Sequence, residues 1–141
     1  MKVLIDTNII LDYLTKRTPF YDPAYALMEM CRSGEVVGYI AAHSVMNCFY
    51  ILRKEYTEEE RREILIRFLK LVSVVGIDRS KISSALRRKE FSDMEDCLQD
   101  ECADTCGAEY IITRNIKDFD QSTVKAILPE DFVKMMKKQK P

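Results

Sequence analysis

The stretch KVLIDTNIILDYL, residues 2–14, decides the fold class of this chain. Val3 to Ile5 form a short apolar run typical of a buried strand, and apolar residues then recur at helical spacing up to Leu14. Asp6 lies where the strand passes into the helix, and no basic residue beside it in the sequence can neutralise it. Because burying an unpaired carboxylate costs several kcal/mol, another group must meet Asp6 there.

The rest of the chain repeats this alternation of strand and helix patterns. We predict strands at residues 2–6, 36–42, 72–77, 108–113 and 124–128, and helices at 8–16, 23–33, 44–55, 57–71, 80–89 and 92–106. Strands separated by helices require parallel crossover connections. The sequence therefore predicts an α/β fold, a three-layer α/β/α sandwich with a central parallel sheet, as a single domain over residues 1–141.

Capping signals mark where several of these helices begin and end. The predicted N-terminal signals are Asp22 before Pro23, and two capping boxes that pair Thr57 with Glu60 and Ser92 with Glu95. Gly34 and Gly107 follow the last turns of two helices, where a left-handed residue ends a helix favourably. These signals support the helix assignments independently of the apolar pattern.

Composition places the protein among ordinary globular domains. The chain has 141 residues, of which 47% are hydrophobic, and a formal net charge of -1, so its overall charge does not indicate a nucleic-acid binder. Its five cysteines are an odd number and suggest no paired framework, which is typical of a reducing cytoplasm. No apolar stretch approaches the roughly 20 residues of a membrane span, and the N-terminus lacks a signal-peptide core.

Polar and acidic residues follow three of the predicted strands and open one helix. Ligands of open parallel sheets bind outside the carboxyl ends of the strands, so these residues are candidates for one site. The candidates are Asp6 after the first strand, Ser44 and Asn47 after the second, Thr113, Asn115 and Asp118 after the fourth, and Asp93 and Asp96 at the start of the helix at 92–106.

Each candidate also has a purely structural interpretation. Acids such as Asp93 and Asp96 in a first turn complement the helix dipole, and Asp118 also suits a turn or a cap. Asp100 and Asp104 continue the acidic stripe deeper along the same helix, and for these two we predict a solvated face. Only a gathering of several acids at one edge would distinguish a functional site from these local roles.

Such a gathering would have a chemical consequence. Carboxylates held together repel one another, so that their pKa values rise or a cation is recruited. Oxygen ligands without His or Cys favour Mg²⁺ or Mn²⁺ over Zn²⁺. A metal site of this kind is suited to phosphodiester hydrolysis, and Asp6 is then a candidate metal ligand.

Three motifs in register, LIDTNIILDYL, SDMEDCLQ and YIITRNIKDF, together resemble the PIN-domain ribonucleases, including the VapC-type toxins of toxin–antitoxin pairs. The resemblance covers nearly the whole chain. It implies a parallel-sheet α/β/α domain whose acidic pocket binds Mg²⁺ or Mn²⁺ and cleaves RNA. It further implies an antitoxin protein as a partner and a homodimer as the assembly.

The resemblance also assigns roles to individual residues. The acids implied as catalytic and metal-binding are Asp6, Asp93, Asp96 and Asp118, with Asn8, Ser44, Asn47, Thr113 and Asn115 as supporting residues. Arg114 and Lys117 flank these acids and are the candidates for contact with the RNA backbone.

Two positions depart from the family pattern. Asn47 stands where the family commonly has a glutamate, and Asn115 where it often has an aspartate. Each replacement removes a negative charge but keeps an oxygen that can accept a hydrogen bond. A second hypothesis is therefore a catalytically weak PIN-like protein that acts as a binding partner. A third is a phosphoryl-transfer domain with an aspartate nucleophile, against which the missing second acid beside Asp6 counts.

Overall fold

The computed structural model describes residues 1–140 and contains a five-stranded parallel sheet. The strands are β1 (Lys2–Ile5), β2 (Val37–Ala41), β3 (Ser73–Val75), β4 (Tyr110–Ile112) and β5 (Lys125–Ile127), in the spatial order β3-β2-β1-β4-β5. The central strand β1 pairs with β2 and β4, and Leu4 lies opposite both Tyr39 and Ile111. Its position explains why Val3, Leu4 and Ile5 are all fully buried.

Helices connect these strands and cover both faces of the sheet. They are α1 (Thr7–Leu14), α2 (Tyr21–Ser33), α3 (Ala42–Ile51), α4 (Glu58–Phe68), α5 (Arg79–Arg87), α6 (Met94–Cys106) and α7 (Pro129–Lys138), with short 3₁₀ turns at Leu52–Lys54 and Ile116–Phe119. None of the helices within residues 1–140 is long and apolar enough to cross a membrane.

Two apolar clusters on opposite faces of the sheet form the core. Val3 and Ile5 pack with α1, α2, α3, α4 and α7, whereas Leu4 packs with α6 on the other face. This division follows from the alternation of side chains along a strand. The predicted three-layer α/β/α sandwich with a central parallel sheet is confirmed.

The capping predictions have mixed outcomes. The box of Thr57 and Glu60 is confirmed, with both reciprocal hydrogen bonds present, and Gly34 and Gly107 adopt positive φ values of 82° and 73°. The prediction for Asp22 is wrong, since α2 already begins at Tyr21 and Asp22 lies within its first turn. There its charge complements the helix dipole instead of accepting a capping hydrogen bond.

The predicted box of Ser92 and Glu95 is also wrong. Asp93 is the N-cap of α6, and its Oδ1 accepts a hydrogen bond from the backbone N–H of Asp96 at 3.1 Å. This shift by one residue leaves the Glu95 side chain available for contacts outside its own helix.

Asp100 corrects a further prediction, because it is fully buried and not solvated. Its carboxylate pairs with Arg88 at 2.7 Å and accepts hydrogen bonds from the backbone N–H groups of Thr123 and Val124 at 2.8 and 3.0 Å. Asp104, by contrast, is exposed as predicted. The five cysteines are all free thiols, consistent with the absence of a paired framework in the sequence.

Candidate active site

Asp6 lies at the carboxyl end of the central strand and receives two hydrogen bonds. The backbone N–H of Thr7 donates to Oδ1 and the Thr113 hydroxyl donates to Oδ2, both at 2.8 Å. Only 6% of the residue is exposed, and this burial raises the pKa of Asp6 although the two hydrogen bonds oppose the rise. The buried carboxylate is thus contacted by Thr113, which directly follows the neighbouring strand β4.

Thr113 connects Asp6 to the loop after β4. Its fully buried hydroxyl donates to Asp6 and accepts a hydrogen bond from the backbone N–H of Asn115 at 3.0 Å. This chain of hydrogen bonds fixes the loop relative to the carboxylate. The structure therefore places Thr113 and Asn115 beside Asp6, as the sequence predicts for residues at one sheet edge.

Asp96 lies in the first turn of α6 and faces the same region. Burial, followed by the charges of Asp93, Asp6, Asp118 and Glu95 in decreasing order, raises its pKa to about 7. The charges of the other three acids selected in the sequence therefore all act on Asp96. They are joined by Glu95, which the sequence analysis considered only as part of a cap.

A cleft of about 470 Å³ lies between these elements. Its polar lining consists of Asp6, Thr7, Asn8, Asn47, Glu95, Asp96, Gln99 and Asn115. Asp93 and Asp118 are exposed and lie outside this lining, Asp93 as the cap of α6 and Asp118 in the short turn after β4. The structure thus brings Asp6 and Asp96 into the cleft and keeps the other two predicted acids at its periphery.

Glu95 is a residue of the cleft that the sequence analysis missed. The side-chain amide of Asn47 donates a hydrogen bond to Glu95 Oε2 at 3.2 Å across the cleft. A carboxylate therefore lies beside Asn47, at the position where the sequence resemblance leads us to expect an acid. The signal for Glu95 was its place next to Asp96 in the DMED motif.

Gln99 is the second missed residue. It lies three residues after Asp96 and four after Glu95, and thus on their side of α6. Its Nε2 donates to Ser44 Oγ at 2.8 Å and to Thr7 Oγ1 at 3.3 Å, and the two hydroxyls are 2.8 Å apart. Through these contacts the buried Ser44 ties α3 and α6 to the start of α1.

Two buried acceptors in the cleft have no hydrogen-bond partner. They are Asn8 Oδ1 and Gln99 Oε1, both side-chain oxygens. Buried acceptors of this kind normally meet a donor, a water molecule or a cation. The donor set of the cleft, made of carboxylate and amide oxygens, fits a hard divalent cation in its chemistry. Nevertheless, no group of three or more His, Cys, Asp or Glu within residues 1–140 is arranged as a ready-made metal site.

Arg114 and Lys117, the predicted RNA contacts, differ in their surroundings. Arg114 donates to both carboxylate oxygens of the fully buried Asp12, at 2.7 and 3.2 Å, and its guanidinium lies 3.9 Å from the centre of the Phe20 ring. Lys117 is exposed in the turn that carries Asp118. Arg114 is thus fixed by an internal ion pair, whereas Lys117 extends into solvent.

Comparison with known proteins identifies a related family. A family model described as the PIN domain matches residues 2–117, which is most of the chain. No curated protein matches at a significant level.

Solved structures of similar fold come from several bacteria. VapBC2 from Rickettsia felis, bound to a DNA fragment from its promoter, has a TM-score of 0.69 at 20% identity, covering 91% of this chain and 98% of that chain. A toxin–antitoxin complex from Klebsiella pneumoniae has a TM-score of 0.69 at 22% identity, covering 90% and 97%. VapC20 from Mycobacterium tuberculosis, a toxin that cleaves the sarcin–ricin loop, has a TM-score of 0.60 at 13% identity, covering 77% and 86%.

Proposed function

Because this chain belongs to the PIN domain family, we propose that it is a metal-dependent endoribonuclease that hydrolyses RNA phosphodiester bonds. The observation that carries the proposal is the cleft. Asp6, Glu95 and Asp96 line it together with Asn8, whose side-chain oxygen has no hydrogen-bond partner. The cleft lies at the carboxyl ends of parallel strands, where such sheets bind their ligands.

Oxygen ligands alone favour Mg²⁺ or Mn²⁺ as the cofactor. In this proposal Asp6 and Asp96 hold the ion, and Asn8 Oδ1 offers a further neutral ligand. When bound, such an ion supplies charge neutralisation at the scissile phosphate and lowers the pKa of an attacking water.

The remaining polar residues position these ligands or the substrate. Thr113 orients the Asp6 carboxylate through its hydroxyl, and Gln99 with Ser44 holds α6 against α1. Asp93 and Asp118, at the periphery, orient the attacking water or contribute to a second ion. Lys117 contacts an RNA phosphate, because it is exposed beside the acids and carries a free positive charge.

Glu95 offsets the charge that Asn47 lacks. The Asn47 amide donates a hydrogen bond to this carboxylate at 3.2 Å, so that Glu95 supplies a negative charge beside the position where we expected a family glutamate. Asn115 lines the same cleft and provides a neutral side chain near Asp6. The proposed site therefore has three carboxylates at the cleft itself and two at its periphery.

The proposed biological role is that of the toxin in a toxin–antitoxin pair. Similar folds occur in a toxin–antitoxin complex from Klebsiella pneumoniae and in DNA-bound VapBC from Salmonella typhimurium. An antitoxin protein and a second copy of this chain are accordingly the proposed partners. The five free cysteines are compatible with a cytoplasmic location.

The second candidate function is a catalytically weak PIN-like binding partner. It is favoured by the two neutral residues, Asn47 and Asn115, and by the lack of a ready-made group of three acids in the described residues 1–140. It differs from the nuclease in two respects that are simple to measure: it does not cleave RNA, and it gains no stability from a divalent cation.

Cleavage of a 5′-labelled RNA distinguishes the two functions. We expect wild type to cleave single-stranded or hairpin RNA with Mg²⁺ or Mn²⁺ and to lose this activity in EDTA. Asp6→Asn should cleave more than about 100-fold more slowly, because several kcal/mol of transition-state stabilisation is lost. Asp104→Asn, which changes an exposed acid of α6, is the matched control and should retain full activity. Undiminished cleavage by Asp6→Asn would point to a contaminating nuclease and contradict the proposal.

A further inference from the structure

A second, smaller pocket adjoins the cleft, and we propose that it binds one nucleobase of the RNA substrate. The inference deepens the proposed ribonuclease function and rests on it. The pocket has a volume of about 240 Å³ and is lined by the apolar Phe20, Pro23, Leu128 and Pro129 and by the polar Arg114, Asn115 and Glu130. Asn115 also lines the acidic cleft, so the two cavities are neighbours along the surface.

The walls of this pocket suit a flat, weakly polar group. Phe20, Pro23, Leu128 and Pro129 supply apolar surface from two parts of the chain, the start of α2 and the start of α7. The volume corresponds to that of about eight water molecules, which is of the order of one base and too small for a folded segment of protein. A base that is unstacked from its neighbours buries its faces on such surfaces.

Phe20 is the aromatic platform of the pocket. The residue remains 39% exposed, although the Arg114 guanidinium packs on its ring at 3.9 Å. Arg114 is itself fixed by two hydrogen bonds to the buried Asp12, so both planar groups are held in place before substrate binds. Aromatic rings and guanidinium planes are the surfaces on which proteins stack the bases of single-stranded RNA.

The polar groups of the pocket favour particular bases. Glu130, exposed in the first turn of α7, offers a carboxylate that accepts hydrogen bonds, and the Asn115 side chain offers both a donor and an acceptor. Exocyclic amino groups of cytosine, adenine and guanine donate to a carboxylate, whereas uracil has no such group. The carboxylate also disfavours a phosphate in this pocket. We therefore expect bases with an exocyclic amino group to be preferred over uracil.

The chain contains no tryptophan, which allows a direct test by fluorescence. Phe20→Trp, combined with Asp6→Asn to prevent cleavage, places a single reporter in the pocket. Titration with ten-nucleotide RNAs of adenosine, cytidine or uridine should quench this fluorescence saturably, with the uridine RNA binding least tightly. Tyr25→Trp in the same Asp6→Asn background is the control, since Tyr25 is an exposed aromatic residue of α2 outside the pocket lining. It should show little quenching.

Binding of the same RNAs, measured by the anisotropy of a fluorescein label, separates the possible failures. RNA that binds without changing the fluorescence of the Phe20→Trp variant would overturn the base pocket and leave the nuclease proposal intact. If the RNA binds to none of the variants, both the base pocket and the nuclease proposal are overturned. If the fluorescence of the Phe20→Trp variant instead changes with a partner peptide and not with RNA, the inference is also overturned.

Kinetics provide a second readout that does not depend on the tryptophan variant. Phe20→Ala in the otherwise wild-type chain should raise KM for a single-stranded RNA by at least about fivefold, the lower end of the range for one lost stacking contact. The value of kcat should stay close to that of wild type, since Phe20 does not line the acidic cleft. Phe20→Tyr keeps an aromatic ring and should restore KM. An unchanged KM in Phe20→Ala would contradict the inference.

Discussion

The buried carboxylate of Asp6 is stabilised by its immediate neighbours only in part. Two hydrogen bonds at 2.8 Å satisfy one acceptor site on each oxygen, and burial still raises its pKa. Each carboxylate oxygen has a further lone pair, so Asp6 retains the capacity to bind another ligand. An isolated core acid would have been matched by a fixed cation of the protein, as Asp12 is by Arg114. The surroundings of Asp6 therefore leave it able to bind a further ligand, a capacity that the fold alone does not require.

Asp96 makes the metal-free protein sensitive to pH. Its pKa is about 7, against an ordinary value near 3.8, because burial and the surrounding carboxylates disfavour its charge. Between these two values the folded state binds a proton that the unfolded state has released, so the free energy of unfolding falls as pH rises from about 4 to about 7. In EDTA, wild type should thus lose more stability than Asp96→Asn does between pH 5, about one unit inside this window, and pH 8, about one unit above it.

Urea denaturation at several pH values measures this effect. Asp104→Asn is again the control, because Asp104 is exposed on the same helix and its removal should leave the pH profile of wild type unchanged. Parallel profiles for wild type and Asp96→Asn would show that the neighbouring carboxylates do not act on Asp96 as the structure indicates.

The residues of the site were predictable to different degrees. Asp6 was evident because a charge directly after a fully apolar strand is unusual, and Asp96 because its helix begins with several acids. Glu95 was missed because the position of the cap differs by one residue, which changes the direction of each side chain in the first turn. The burial of Asp100 has no local signal in the sequence, because its partner, Arg88, lies at the end of another helix, α5.

At the scale of elements, the pair of Arg88 and Asp100 fastens α5, α6 and the loop before β5. Arg88 donates to Asp100 and Glu101, both at 2.7 Å, and Asp100 in turn accepts two backbone N–H groups from the loop at 123–124. The Asp100 side chain is fully buried, whereas that of Arg88 is 19% exposed. One buried carboxylate thus holds together three segments that do not pair through the sheet.

Removal of Arg88 should therefore be costly for the fold. Arg88→Ala leaves the buried carboxylate of Asp100 without its cation, and loss of one partner of a buried pair costs about 3–5 kcal/mol. We expect the free energy of unfolding from urea titrations to fall by about 3 kcal/mol, the lower end of that range, since Arg88 is partly exposed. Arg87→Ala is the matched control, because Arg87 is exposed next to it in the chain. Equal effects of the two substitutions would show that the pair is not a structural tie.

Most elements were predictable because their apolar patterns are regular, and the failures have identifiable causes. Each strand is shorter than predicted by one to three residues, since apolar runs continue into the loops that cover the core. The helix α7 is absent from the prediction, whose last helix ends at residue 106. Its signals were nevertheless present: Pro129 at the first position, and Phe132, Val133 and Met136 on a buried face.

At the scale of the whole molecule, the cleft joins elements that are distant in the sequence. Asp6 follows β1, Asn47 lies on α3, Glu95 and Asp96 open α6, and Asn115 follows β4. The order of the strands, with β1 in the centre between β2 and β4, brings these positions together. Bringing three carboxylates to one cleft opposes folding through their mutual repulsion, so a ligand that relieves the repulsion must stabilise the folded chain.

Thermal unfolding with divalent cations tests this coupling without measuring catalysis. A cation that binds only the folded state raises Tm by mass action, and a concentration about 100 times the Kd contributes roughly 2.7 kcal/mol. We expect millimolar Mn²⁺, and Mg²⁺ to a lesser extent, to raise the Tm of wild type relative to EDTA by several degrees. Asp104→Asn should respond as wild type does, whereas Asp6→Asn should respond weakly or not at all, because it lacks the most deeply buried ligand. An equal shift in wild type and Asp6→Asn would place the cation elsewhere on the protein. The absence of a shift in every variant would favour the catalytically weak binding partner over the nuclease.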